Sequence, residues 1–147
     1  LSKQNLLGAP ILYLSRYLNR NKAEYYALLQ QVRETNSWEP WLLYMLKALQ
    51  ITSQDTLATI KAMMALMQKH KHLIKTQLPK LYSHELINNL FIHPYTKVEF
   101  LVNELNIHRN TASKYLNQLV DIGVLTKHKL GKDNYYLNTE LFNLFTH

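Results

Sequence analysis

The stretch of residues 96–138 constrains the fold of this chain more than any other part of it. Its first part has apolar residues three and four positions apart, which predicts an amphipathic helix that Thr96 caps. The pattern breaks at 106–108, where Ile107 is predicted to fill the gap between two helices, and a second helix is predicted over 109–122. The apolar residues of these two helices are Val98, Leu101, Val102, Leu105, Ala112, Leu116, Leu119 and Val120.

A short β-hairpin is predicted to follow the second helix. Gly123 is suited to end that helix in a left-handed conformation, which has a steric cost for other residues. Residues 124–126 and 135–137 are predicted to form two strands, and residues 127–134 a basic turn between them. Helix, turn, helix and basic hairpin, in this order, predict a winged helix-turn-helix.

The second predicted helix has a polar face made of hydrogen-bond donors, with no acidic residue before Asp121. Such a face suits the major groove of DNA, and a basic hairpin beside it is placed to contact phosphates. The predicted DNA-binding residues are Arg109, Asn110, Ser113, Lys114, Asn117, Lys127, Lys129 and Lys132. The alternative is a protein-interaction module in which the lysine-rich hairpin is only a solvated turn.

The composition favours a mainly α-helical protein. The 147 residues suffice for one medium or two small domains, and 3 glycines and 4 prolines are few for a β-rich chain. The net charge of +7 favours anionic partners such as DNA, RNA or nucleotides. The absence of cysteine excludes disulfides, thiolate zinc sites and cysteine nucleophiles, and it fits a reducing compartment such as the cytoplasm. No apolar run approaches the length of a membrane span.

The first half of the chain is predicted to be entirely helical. Pro10 suits the first turn of one helix, residues 22–35 form a second, and Ser37 caps a third. A bend is predicted at 51–53, and a further helix follows over 54–74. The predicted buried stripe of the third helix is Trp38, Trp41, Leu42, Met45, Leu46 and Leu49.

The predicted boundary between the two halves lies close to Pro79. Residues 1–76 would then form a helical domain, and residues 77–147 a winged helix-turn-helix domain with a small β-hairpin. The first residue is Leu rather than Met, which indicates a piece of a longer chain.

One predicted helix carries apolar residues at alternating spacings of three and four, as in a short coiled-coil seam. These residues are Leu57, Ile60, Met64 and Met67. We favour packing within the molecule, and a homodimer contact is the alternative.

The run Lys-His-Lys-His at 69–72 follows, where cations near a helix C-terminus are favourable. His70 and His72 point to different sides of the helix, so no metal site is predicted there.

No complete catalytic constellation is visible in the sequence. There is no glycine-rich phosphate loop and no serine nucleophile elbow. Carboxylates such as Glu24 and Glu34 lie on polar faces, where nothing would raise their pKa. The chain alone therefore does not have the pattern of a complete enzyme, and no catalytic residue is predicted in it.

Residues 9–46 resemble the region just downstream of the catalytic loop in Fic-domain proteins. In many bacterial members a helical linker and a C-terminal winged helix follow, and residues 111–125 look like that domain. The matching motifs are Leu-Tyr-Leu-Ser at 12–15, Glu-Tyr-Tyr at 24–26, Leu-Gln at 29–30, Val-Arg at 32–33 and Trp-Glu-Pro-Trp at 38–41.

The resemblance implies a parent protein that transfers AMP from ATP, with Mg, to a hydroxyl group of a target protein. The family signature, His-Pro-Phe-x-Asp-Gly-Asn-Gly-Arg, is absent from this chain and is expected upstream of it. His93 and Pro94 do not replace it, because the rest of the signature does not follow. The resemblance also places Tyr25 and Arg33 near the nucleotide, and core packing is the alternative role for Tyr25.

Three functions compete at this point. The first is the C-terminal part of a Fic adenylyltransferase, in which the winged helix binds DNA or positions the enzyme. The second is a non-enzymatic transcription regulator whose first half is a helical dimerisation domain. In the third, the winged half is a lid that contacts only protein.

Overall fold

The computed structural model describes residues 12–146, so the predicted helix start at Pro10 lies outside the described residues. The chain divides into two compact units, and the division falls between Ile60 and Lys61. The helices are α1 (Leu14–Arg20), α2 (Lys22–Thr35), α3 (Glu39–Gln77), α4 (His84–Ile92), α5 (Val98–Leu105), α6 (Arg109–Asp121) and α7 (Thr139–Thr146). The strands are β1 (Tyr95–Thr96), β2 (Thr126–Leu130) and β3 (Asp133–Leu137).

The first unit contains α1, α2 and the beginning of α3, and aromatic rings hold it together. The ring of Tyr44 on α3 lies 5.8 Å from that of Tyr17 on α1 and 6.2 Å from that of Tyr25 on α2, measured between centroids. Aromatic pairs at these distances stabilise a fold beyond the burial of their apolar surface, so they favour this arrangement of the three helices.

The predicted buried stripe of the third helix was partly wrong. Trp38, Leu42 and Leu46 are 50%, 49% and 62% exposed, whereas the buried face of α3 in this unit carries Tyr44, Ala48 and Thr52. Apolar residues surround the beginning of α3 on most sides, so their spacing did not show which face turns inward. The contacts of Tyr44 with two other helices decide it.

The predicted bend at 51–53 was also wrong, because α3 is continuous from Glu39 to Gln77. The hydroxyl of Ser53 donates to the carbonyl of Leu49 at 2.7 Å, and that of Thr56 donates to the carbonyl of Thr52 at 2.8 Å. Serine and threonine side chains that bond to the preceding turn are compatible with a helix interior.

The predicted domains, 1–76 and 77–147, divide the chain at the end of α3, whereas the compact units divide it within that helix. The difference has a physical cause. Ile74, near the end of α3, is fully buried in the core of the second unit, and Met67 and Leu73 pack against that core.

The second unit confirms the predicted winged helix-turn-helix. Three helices, α4, α5 and α6, enclose an apolar core that the sheet covers, and the three antiparallel strands have the order β1-β3-β2. The hairpin of β2 and β3 is the wing. The fully or nearly fully buried core residues include Leu86, Leu90, Leu101, Ala112, Leu116, Leu119 and Tyr136.

Thr96 does not cap α5 as the sequence predicted. It lies in β1, which pairs with β3 and was not predicted at all, and Lys97 occupies the N-cap position. The buried hydroxyl of Thr96 donates to Asn89 Oδ1 at 2.8 Å, and the amide of Asn89 donates to Glu104 Oε2 at 2.8 Å. This network joins β1 to α4 and α5. The sequence did not predict β1 because a strand of two residues is too short to show an alternating pattern.

The wing has a shorter turn than predicted. Most of the predicted basic turn, 127–134, belongs to β2 and β3, and only Gly131 and Lys132 connect Leu130 to Asp133. Gly131 has a φ of 63°, and a glycine with positive φ at the first of two turn positions is typical of a type II′ hairpin. Gly123 has a φ of 77°, which confirms its left-handed position after α6.

The predicted coiled-coil seam is not buried along its length. Leu57 and Met64 are 52% and 61% exposed, while Met67 packs against the core of the second unit. The homodimer contact remains a prediction.

His70 is buried on α3, although its Nδ1 atom has no hydrogen-bond partner among the described residues. Its ring lies 5.7 Å from that of Phe91, and its Nε2 lies 3.8 Å from Glu140 Oε1. Burial lowers the pKa of His70 below its usual value of 6.5, and the adjacent Lys69 acts in the same direction, whereas Glu140 opposes it. The folded protein therefore favours the neutral imidazole.

We expect this histidine to make folding pH-dependent. When the folded pKa is depressed, the unfolded chain binds the proton first, so stability is lost as the pH falls from about 7.5 to about 5.5. The free energy of unfolding measured across this range should fall for the native chain and should fall less for His70→Leu. Glu140, whose pKa Lys69 lowers from 4.5, acts only in more acidic solution. An equal fall in both proteins would contradict the prediction.

Candidate nucleic-acid interface

Helix α6 turns one face into the core and the opposite face outward. Ala112, Leu116 and Leu119 have no exposed surface, and this fixes the rotation of the helix about its axis. The predicted donors then fall on the outer side, where Asn110, Lys114 and Asn117 are exposed and Ser113 is half-buried. The first turn of α6 contains no acidic residue.

The turn before α6 brings the beginning of this helix close to the beginning of α5. Asn106 ends α5 with a φ of 50°, which asparagine tolerates better than most residues. Arg109 is 75% exposed, and its Nη1 lies 3.8 Å from the Oε1 of Glu99 in the first turn of α5. The first residue of the predicted donor face therefore has an acidic neighbour that the sequence pattern did not reveal.

The base of the wing contacts α6 directly. The ammonium group of Lys127 donates to Asn117 Oδ1 at 3.3 Å, and the Tyr136 hydroxyl donates to the same oxygen at 3.4 Å. The Lys127 ammonium also lies 5.6 Å from the centre of the Tyr136 ring. Asn117 thus uses its oxygen to hold the wing in place, which leaves its amide nitrogen as the donor on the outer face.

Lysines also project from the rest of the wing. Lys129 lies in β2 and Lys132 lies in the turn, and both are exposed. Among residues 12–146, neither lysine side chain has a hydrogen bond or ion pair within the protein. These charges are therefore available to a partner.

Lys97 is a cation of this surface that the sequence did not single out. Its ammonium lies 3.5 Å from Asp133 Oδ2 and 4.2 Å from the centre of the Tyr135 ring. The Tyr135 side chain and then the Asp133 carboxylate raise the pKa of Lys97, so it stays charged at neutral pH. Lys97 directly precedes α5 and has no basic residue next to it in the sequence, which is why no pattern identified it.

The two residues assigned to a nucleotide by resemblance lie on α2. Tyr25 is half-buried between Tyr26, at 5.4 Å, and Tyr44, at 6.2 Å, measured between ring centroids. Arg33 is exposed in the last turn of the helix. These contacts give Tyr25 a packing role, and its role toward a nucleotide stays a prediction.

No described helix is long and apolar enough to cross a lipid bilayer. The fold and the exposed surface define a class of protein, namely a mainly helical chain that ends in a winged helix-turn-helix with a donor-bearing second helix and a cationic wing.

Residues 66–141 match a family described as Protein adenylyltransferase SoFic-like, C-terminal domain. The match begins within α3 and ends in α7, and it covers more than half of the chain. The chain therefore belongs to this family. The match confirms the resemblance to the C-terminal part of Fic proteins.

Proposed function

We propose that this chain is the C-terminal part of a Fic-type adenylyltransferase and that its winged helix binds duplex DNA. The observation that carries the DNA-binding proposal is the outer face of α6. It presents Arg109, Asn110, Ser113 and Lys114 beside a wing whose lysines are exposed. Donor side chains on a helix suit base edges in the major groove, and flanking lysines suit the phosphates on either side.

The transfer of AMP belongs to the parent protein in this proposal. Family membership supports it, and the proposal places the catalytic signature, which these 147 residues do not contain, in another part of the parent protein. Among residues 12–146, no group of three or more His, Asp or Glu side chains is placed to hold a metal ion, so we assign no magnesium ligand to this chain. ATP and the protein target would bind mainly to other parts of this parent protein, with Tyr25 and Arg33 as the contribution of this chain to the nucleotide site.

A salt titration with duplex DNA tests the binding proposal. If Arg109, Lys114 and the three wing lysines reach phosphates, we expect the affinity to fall about a hundredfold or more between 50 and 200 mM salt. Fluorescence anisotropy with a labelled duplex of about 20 base pairs measures this slope. An undetectable affinity, or one that salt does not change, would leave the protein-binding lid as the better explanation of the wing.

A further inference from the structure

A cleft opens where the wing turn meets the first turns of α5 and α6. It is lined by Lys97, Val98, Glu99, Arg109, Lys132, Asp133 and Asn134. The three cations come from three separate parts of the fold, because Lys97 occupies the N-cap position of α5, Arg109 begins α6 and Lys132 lies in the wing. Positive side chains that converge from different directions are typical of a site for a small multivalent anion.

The two carboxylates of the cleft hold its cations only loosely. Glu99 lies 3.8 Å from Arg109, and Asp133 lies 3.5 Å from Lys97. Both distances exceed the roughly 2.7–2.9 Å of a charge-assisted hydrogen bond. Both acids are also about two-thirds exposed, at 68% and 65%, so they can turn toward water without disturbing the core.

The remaining cation, Lys132, has no ion pair among the described residues. With three cations and two carboxylates, the cleft therefore keeps one positive charge after its internal pairs have formed. The N-cap residues of α5 and α6, Lys97 and His108, make no side-chain cap hydrogen bond. In the first turn of α5 the amide of Phe100 donates to the carbonyl of Lys97 at 3.1 Å, so only the preceding amides of that turn lack a cap.

We propose that this cleft binds a phosphate group through Lys97, Arg109 and Lys132, and that the phosphate displaces the carboxylates of Glu99 and Asp133. A tetrahedral phosphate offers oxygens in several directions, which matches cations that approach from three elements. The source of the phosphate is either a nucleic-acid strand, which rests on the function proposed above, or a free phosphate ion. The two carboxylates then lower the affinity of the cleft for phosphate, because they compete with the phosphate for the same cations.

The first experiment uses inorganic phosphate and does not depend on DNA. Sodium phosphate is titrated into the isotope-labelled chain of 147 residues, and sodium chloride at equal ionic strength is the reference. We expect saturable amide shifts at Val98, Arg109 and Lys132 with phosphate alone. Shifts that equal those caused by chloride, or that spread over all lysines of the chain, would overturn the proposal.

Matched variants assign the effect to the cleft. Lys97→Gln and Lys132→Gln should abolish the saturable shifts, whereas Lys80→Gln, with the same charge change outside the cleft, should retain them. Glu99→Gln should tighten phosphate binding about two- to fivefold, because it removes a competing ion pair. The control Asp121→Asn makes the same charge change about 20 Å away, at the other end of α6, and should have little effect. Equal effects of the cleft variants and their controls would contradict a local site.

Duplex DNA then distinguishes the two sources. If one strand phosphate occupies the cleft, Lys97→Gln should reduce the salt slope by about one, and the double variant with Lys132→Gln should also reduce it by about one, since both contact the same phosphate. Phosphate binding with an unchanged slope supports the site with free phosphate as its ligand. Phosphate binding by a chain with no affinity for DNA would reject the proposed function and retain the site.

Discussion

Replacing Arg109 and Lys114 with glutamate should reduce the affinity for duplex DNA by at least about a hundredfold at fixed salt. Both side chains project from the outer face of α6, and Arg109 is 75% exposed. Each substitution removes an attraction to DNA and adds a repulsion in its place. Arg109→Glu also places a second carboxylate beside Glu99, at the beginning of the helix. Anisotropy titrations of the native chain and of the double variant measure the loss.

The matched control changes the charge equally on another surface of the second unit. Lys61→Glu with Lys80→Glu alters the net charge by the same amount, and both lysines are exposed on α3 and on the turn that follows it. This control should lose only the part of the affinity that depends on net charge, a small fraction of the effect on α6. If both double variants bind equally weakly, the DNA is held by overall charge and not by the face of α6. If neither binds less than the native chain, the winged unit does not use this face for DNA.

Replacing Leu116 with alanine should destabilise the winged unit by about 2–5 kcal/mol. Leu116 is fully buried in the core that α4, α5, α6 and the sheet enclose. Truncating this side chain therefore leaves a cavity. It also removes one of the buried contacts that fix the rotation of α6 about its axis, and this rotation sets the position of the donors. We expect the slowest-exchanging amides of α6 to exchange with solvent faster by a factor that corresponds to this free energy.

The probe for this measurement must report on the second unit. Both tryptophans, Trp38 and Trp41, belong to the first unit, so tryptophan fluorescence does not follow the unfolding of α6. Leu130→Ala is the control, because Leu130 is 64% exposed in the wing and its truncation should change stability by less than about 0.5 kcal/mol. Equal and small effects of Leu116→Ala and Leu130→Ala would show that the predicted core is not the stabilising one.

The helix-turn-helix was predictable because its helices have one apolar face each. In α6, Ala112, Leu116 and Leu119 follow the helical period, and the donors occupy the positions between them. The same reasoning failed at the beginning of α3, where apolar residues lie on most sides and only the contacts of Tyr44 select the inward face. Periodicity predicts a face only when the opposite face is polar.

Two kinds of feature could not be predicted from the sequence, namely a very short strand and side chains that come together from distant parts of the chain. Strand β1 has two residues and pairs with β3, and the buried hydroxyl of Thr96 donates to Asn89 on α4. No local sequence pattern indicates either contact. The donors on α6 were predictable one helix at a time. The cleft was not, because Lys97 and Lys132 meet only when the hairpin folds back beside α5.

The order β1-β3-β2 leaves β2 at the edge of the sheet, with all five of its residues exposed. An open edge strand is a template on which another chain can add its own strand. Lys127 and Lys129 lie on this edge, and charged side chains oppose such pairing. We therefore expect the lysines that suit a phosphate backbone also to oppose edge-to-edge pairing between separate copies of the protein. Selection for solubility and selection for binding would act on the same two positions.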